Sequence, residues 1–213
     1  MKGTFTGRGV ACRRGERRVF EGLDFALPEG GALVLTGPNG SGKSSLLRLM
    51  AGLSPPEEGT IAWDDAPVAD DPAAHRARLH FIGHADALKP VLTVGETVSF
   101  WAGMRGSPAA GEALEQFRLA ALAETPCRLL SQGQRRRLAL TRLVASQAEL
   151  WLLDEPFAGL DEDSVADLYD AIGAHRGAGG RIALSTHAPL ALADQTLLSL
   201  GAYAARSPYA LFA

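Results

Sequence analysis

Gly37, Gly42, Lys43 and Ser44 stand at the spacing G-x-x-x-x-G-K-S, just after the uncharged apolar run Leu33-Val34-Leu35 and just before Leu46, Leu47, Leu49 and Met50. That order reads as buried strand, glycine-rich turn and helix, the setting in which this spacing forms a phosphate-binding loop. Backbone N–H groups at a helix N-terminus replace water around a polyphosphate and do so in a favourable dipole field. Gly37, Gly40 and Gly42 permit the angles that aim those donors inward. Pro38, Asn39, Ser41 and Ser45 complete the loop and the first helical turn. Lys43 is placed to reach the β- and γ-phosphates, and Ser44 to ligand the Mg²⁺ that bridges them.

A second signal is the apolar run Leu150-Trp151-Leu152-Leu153 ending in Asp154-Glu155. Phosphoryl transfer to water needs one carboxylate to hold Mg²⁺ and another to position the water, tasks that suit Asp154 and Glu155 respectively. His187 follows a third strand-like run, Arg181 to Ser185. In an open α/β sheet, ligands bind beyond the carboxyl ends of the strands, so these three sets are expected to converge on one site.

The elements that must carry them follow from pattern. Residues 4–36 alternate like half-buried strands, with turns at Arg13 to Glu16 and Pro28 to Gly31, which predicts an antiparallel ribbon leading into the loop strand. Thr60 to Trp63 reads as a short edge strand. Pro72 opens a short helix over Ala73 to Arg78, and Leu79 to Gly83 is a strand leading to His84. Thr93 and Glu96 form a capping box for a helix through Trp101 and Met104, and a second helix spans about Ala110 to Ala123 before Pro126. The 84–127 stretch is therefore helical and marks a subdomain boundary.

Ser131 to Gln134 precede another helix, and Arg135, Arg136 and Arg137 on its first turns read as a solvated or partner-facing surface, not a nucleic-acid patch. Val165, Leu168, Tyr169 and Ile172 mark a further helix. The tail from Ala188 holds at most one more helix and strand. Trp63, Trp101 and Trp151 show no base-stacking arrangement and read as packing. A strand and helix series of this kind implies an α/β fold with a largely parallel sheet.

The 213 residues, 46% of them hydrophobic, suffice for one large domain or two small ones. A net charge of −3 points to neither nucleic acid nor an anionic lipid surface. Cys12 and Cys127 lack metal-ligand spacing and fit a reducing cytosolic setting. No signal-peptide pattern follows Met1 to Thr4, and no apolar run reaches 18 residues, so work at a membrane would need a partner to bring the chain there.

Taken in order, Gly37 to Ser44, Ser131-Gln132-Gly133-Gln134, Leu150 to Glu155, Ala158-Gly159-Leu160-Asp161 and His187 resemble the ATPase subunit of an ATP-binding cassette (ABC) system over nearly the whole chain. The resemblance implies a single ABC-type P-loop NTPase domain over 1–213. Its nucleotide-binding core, with an N-terminal antiparallel β-subdomain, would cover 1–83 and 128–213, and its helical subdomain 84–127. It implies ATP and Mg²⁺ as ligands, with Lys43, His84, Glu155 and His187 as the catalytic set. Ser131, Gly133 and Gln134 would belong to the signature that binds the γ-phosphate held by the other subunit's loop, with Gln132 where a glycine is usual. The active unit would then be a homodimer closed around two ATP. Asp161 resembles the aspartate that communicates across that dimer, and His187 the histidine near the γ-phosphate and attacking water. His84 stands where the family usually has a glutamine, and Arg14 where an aromatic side chain usually stacks on adenine; Phe20 is the aromatic alternative, at a spacing that suggests core.

His84, the run Gln134-Arg135-Arg136 and the absence of a C-terminal regulatory domain further resemble the ATP-binding subunits of haem exporters in cytochrome c maturation. This narrower resemblance implies a peripheral protein on the cytoplasmic side of the bacterial inner membrane, docked on transmembrane subunits near residues 84–105. Its hydrolysis would power haem export or release of a haem-chaperone complex. The alternatives are the ATPase of another ABC transporter, or a soluble ABC ATPase of iron–sulfur assembly, translation or DNA repair.

Overall fold

A computed structural model describes residues 3–187, 190 and 192–205. Strand β1 (Phe5–Arg14) folds back on β2 (Arg17–Leu27) through the Gly15 turn, and β3 (Ala32–Thr36) runs into helix α1 (Lys43–Met50). β4 (Glu58–Trp63), β5 (Ala66–Pro67), α2 (Pro72–Ala77) and β6 (Leu79–Ile82) follow. Then come α3 (Val94–Gly103), α4 (Ala110–Gln116), α5 (Gln132–Ala145), β7 (Leu150–Asp154), α6 (Glu162–Gly177), β8 (Arg181–Ser185) and β9 (Gln195–Ser199).

Two sheets result. β2-β1-β4-β5 is antiparallel, and β6-β7-β8-β3-β9 is parallel throughout. The period-2 alternation of the parallel strands divides their side chains between two cores. Leu33, Leu35, Leu150, Leu152 and Ala183 meet α1 and the antiparallel sheet, including Phe5, Phe20 and Trp63. Val34, Trp151, Leu153, Ile182 and Leu184 face the opposite way and pack with side chains of α3 to α6. Covering both faces explains why these strands read as continuous apolar runs.

Local chemistry explains the helix starts. Asp71 caps α2 with Pro72 at its first position, and Thr93 and Glu96 form the expected capping box of α3. Trp63 packs against Phe5 and His75 with the Arg78 guanidinium 3.7 Å from its ring centre, and Trp151 stacks on His175 at 3.8 Å. Both cysteines are free and buried.

Three expectations need correction. The strand around Thr60 to Trp63 is not an edge: Asp64, at φ 51°, and Asp65 turn the chain so that β5 pairs with β4 on the side away from β1. The helix from Ala110 ends at Gln116, not near Ala123, because Arg118 takes φ 53° and the reversal tucks Phe117 and Leu119 into the core. The arginine triplet is not a solvated surface as a unit. Arg135 is exposed, but its Nε donates to Leu130 O, Arg137 donates to Phe117 O, and Arg136 is buried. In the tail, β9 joins the parallel sheet beside β3 and one 3₁₀ turn covers Leu200–Tyr203; residues 188, 189, 191 and 206–213 lie outside the described set.

Candidate functional site

The turn from β3 into α1 pivots on Gly42. Its φ is 103°, and a Cβ there would lie 2.8 Å from both Phe20 Cδ1 and Val19 Cγ1. Phe20 is wholly buried behind the loop, so it supports the turn and offers no face to a base. Lys43 is buried too, and its Nζ donates to Gly37 O at 2.8 Å and Pro38 O at 3.4 Å. The ammonium is thus held over the loop by neutral acceptors, which an anionic phosphate oxygen would outcompete.

Asp154 closes β7, and its register partner on β8 is Ser185. That pairing lets one hydroxyl serve both acids: Ser185 Oγ donates to Asp154 Oδ1 at 2.7 Å and accepts from the Glu155 N–H at 2.9 Å. Glu155 sits in the left-handed region at φ 50°, a conformation that costs a residue with a Cβ about 1–2 kcal/mol. Its Oε1 lies 3.2 Å from His187 Nε2, close enough for electrostatic contact but without hydrogen-bond alignment. His187 is half exposed, so its ring can turn toward a ligand.

From the other side, Arg136 reaches out of α5. Its Nη2 donates to Asp154 O at 2.9 Å and Glu155 O at 2.8 Å. Its Nη1 donates to Gly83 O at 3.0 Å and to Asp86 Oδ1 at 3.2 Å, and Nε points to Pro156 O at 3.4 Å. The acid pair and the loop carrying His84 are therefore bound to one guanidinium.

A cleft of about 670 Å³ gathers these parts. Its walls include Arg14, Asn39, Gly40, Gly42, Lys43, Ser44, Ser45, His84, Asp154, Glu155 and His187, as the sequence anticipated, together with Arg17, Val19 and Ala158. Cations at the loop side and carboxylates opposite suit a polyphosphate carrying a divalent cation.

Comparison with known proteins agrees. The family model described as "ABC transporter" matches residues 20–158. The cytochrome c biogenesis ATP-binding export protein CcmA of Paramagnetospirillum magneticum is 50% identical over 207 residues, covering 94% of this chain and 95% of that protein. The protein of the same description from Rhodospirillum rubrum is 52% identical over 205 residues, covering 94% and 87%. The chain belongs to the ABC transporter family, within its group of cytochrome c biogenesis ATP-binding export proteins. A solved ATP-binding subunit of an ABC transporter superposes with a TM-score of 0.78 at 27% identity, covering 86% of this chain and 79% of that one. A bacterial Atm1-family ABC exporter shares the fold, with a TM-score of 0.82 at 23% identity over 93% of this chain and 37% of its own. As an ABC ATPase, this chain binds ATP.

Not every ABC motif lies in the cleft. Gly37, Pro38 and Ser41 form the back of the loop, where Ser41 N donates to Pro38 O. Ser131 and Gln134 satisfy each other in a capping box at the start of α5, Gln134 N to Ser131 Oγ at 3.2 Å and Ser131 N to Gln134 Oε1 at 2.8 Å. This leaves the first amides of α5, at exposed Gln132 and half-buried Gly133, without intrahelical partners. Asp161 is exposed and caps α6; hydrogen bonds from Ser164 hold its carboxyl below the usual carboxylate range. Sequence reasoning missed the roles of Ser185 and Arg136, whose only sequence signals were a hydroxyl ending a strand and a basic run already assigned to the surface.

Ser44 and Asp154 share the cleft wall, and the hydrogen bond from Ser185 engages only Oδ1 of the Asp154 carboxylate. One hydroxyl and one carboxylate oxygen fit Mg²⁺, which takes few protein ligands and completes its shell with water and phosphate. Among the described residues no cluster of three or more His, Cys, Asp or Glu is built to hold a metal without such help.

Proposed function

We propose that this chain is the ATP-hydrolysing subunit of an exporter serving cytochrome c biogenesis, powering haem export or release of a haem-chaperone complex. Two copies close head to tail around two ATP. In each, Gly37 to Ser45 and Lys43 hold the phosphates, and Arg14 lies against the base. Ser44 and Asp154 would hold Mg²⁺, which supplies neutralisation of phosphate charge when bound. Glu155 positions the attacking water, and His187 and His84 approach the γ-phosphate from the two flanking strands.

The observation that carries this reading is the division of the motifs. Loop, acids and histidines share one cleft, whereas Asp161 and Ser131 to Gln134, the latter at a helix start whose amides suit a phosphate, lie outside it. A second copy would bring its own Ser131 to Gln134 to the open side of the cleft.

Transmembrane partners would dock on the helical subdomain, residues 84–127, and the adjoining Leu129. Support comes from Val91, Phe100, Met104 and Leu129, large apolar side chains exposed on this part of the chain. Among the described residues no helix is long and apolar enough to cross a membrane, so attachment at the cytoplasmic side of the inner membrane would be peripheral and made through those partners.

The test is Glu155→Gln. The variant should bind ATP as tightly as the parent and accumulate as a nucleotide-bound dimer while turnover falls at least a hundredfold. Unchanged turnover removes Glu155 from this role. Cysteines placed at 88–100 should crosslink to a transmembrane protein; crosslinks formed only from other surfaces would refute the docking face.

A further inference from the structure

We propose that Arg136 is a positioning residue of the ATPase site, holding the left-handed backbone of Glu155 and joining it rigidly to the His84 loop through the forked geometry of its guanidinium. The inference rests on the reading of Glu155 as the carboxylate that positions water. A left-handed residue other than glycine persists only where its surroundings over-determine it. Here both backbone groups of Glu155 are fastened, the N–H to Ser185, and the C=O to Arg136 at 2.8 Å and more loosely to the Ala158 N–H at 3.2 Å. The same guanidinium ends on Gly83 and Asp86, which flank His84 in the chain.

Lysine cannot replace this fork. Its donors radiate from one nitrogen and cannot span carbonyls on two separate segments, whereas the planar guanidinium presents donors along its edges in fixed directions. Arg136 also rises from α5 within two turns of Ser131, so a displacement of the signature turn would reach Glu155 and His84 together. A neighbour's ATP resting on Ser131 to Gln134 would thereby bear on the carboxylate of this chain's own cleft.

The experiment is Arg136→Lys in the full chain, read by steady-state ATPase kinetics and by amide hydrogen exchange of the 83–87 and 154–158 segments. Turnover should fall at least fivefold with a smaller change in KM for ATP, and exchange should accelerate in both segments. A loss below fivefold, a change greater in KM than in kcat, or unaltered exchange at 154–158 overturns the proposal. Should Arg136→Lys fail to fold, Asp86→Asn carries the test: it removes the carboxylate end of the tie, and faster exchange in both segments supports the coupling, whereas a change confined to 83–87 overturns it. If the parent protein hydrolyses no ATP, the proposed function fails, and the exchange measurement alone decides the clamp.

Discussion

Replacing Ser185 by alanine removes one hydroxyl and unmakes two contacts. Ser185 has no exposed surface, and Asp154 is 6% exposed, so water has little room to stand in for the lost oxygen. The bond from Ser185 Oγ to the Asp154 carboxylate, 2.7 Å long, belongs to the class worth about 1.5–3 kcal/mol. The Glu155 N–H, which donates to the same oxygen at 2.9 Å, would be left without its acceptor at a cost of about 1–3 kcal/mol. The two effects overlap, because one relaxation can ease both, so a total near 3 kcal/mol is expected. A chain of this length loses about 2–4 °C of melting temperature per kcal/mol. Ser185→Ala should therefore melt about 9 °C below the parent when heated without nucleotide and followed by circular dichroism. Turnover should fall more than tenfold, since the carboxylate of Asp154 is no longer held and the Glu155 N–H loses its fastening. A melting temperature within about 2 °C of the parent, in a variant that folds, would refute the claim that this hydroxyl organises the acid pair.

Further expectations concern other parts of the molecule. Gly42→Ala places a methyl 2.8 Å from Phe20 and Val19 at φ 103°, so the loop must shift, and ATP affinity should weaken at least about tenfold in a fluorescent-nucleotide titration. Burial pushes the His80 imidazole down to about 3, with Nε2 bonded to Ser146 O and Nδ1 buried without a hydrogen-bond partner. The unfolded chain, with its histidine near 6.5, then binds more protons than the folded one between these values, so stability rises with pH across that window and falls on acidification. The slope from this residue is at most about 1.4 kcal/mol per pH unit, and denaturant unfolding from pH 7 to pH 5 should show it shrinking in His80→Gln. Phe100→Glu combined with Met104→Glu alters only exposed positions, so melting should move by about 2 °C or less, while retention of transmembrane proteins after gentle detergent extraction should be lost.

The sequence by itself determined whatever depends on near neighbours along the chain. The strand, turn and helix around Gly37 to Ser44, the capping box at Thr93, and the acid pair at the end of β7 are set by steric freedom, local hydrogen bonding and short-range apolar period. These were legible without a structure, as was the parallel sheet, because a strand buried on both faces reads as an unbroken apolar run. Even the core position of Phe20 could be suspected from spacing. Only the tertiary structure decided what Ser185 and Arg136 do. Ser185 meets Asp154 because β7 and β8 are adjacent and in register, and Arg136 points inward because α5 lies against the ends of β6 and β7. A guanidinium on the first turns of a helix has the same local pattern whether it meets water or four backbone carbonyls. Its surroundings come from segments 20 and 53 residues away in sequence, and no local property of the chain records them.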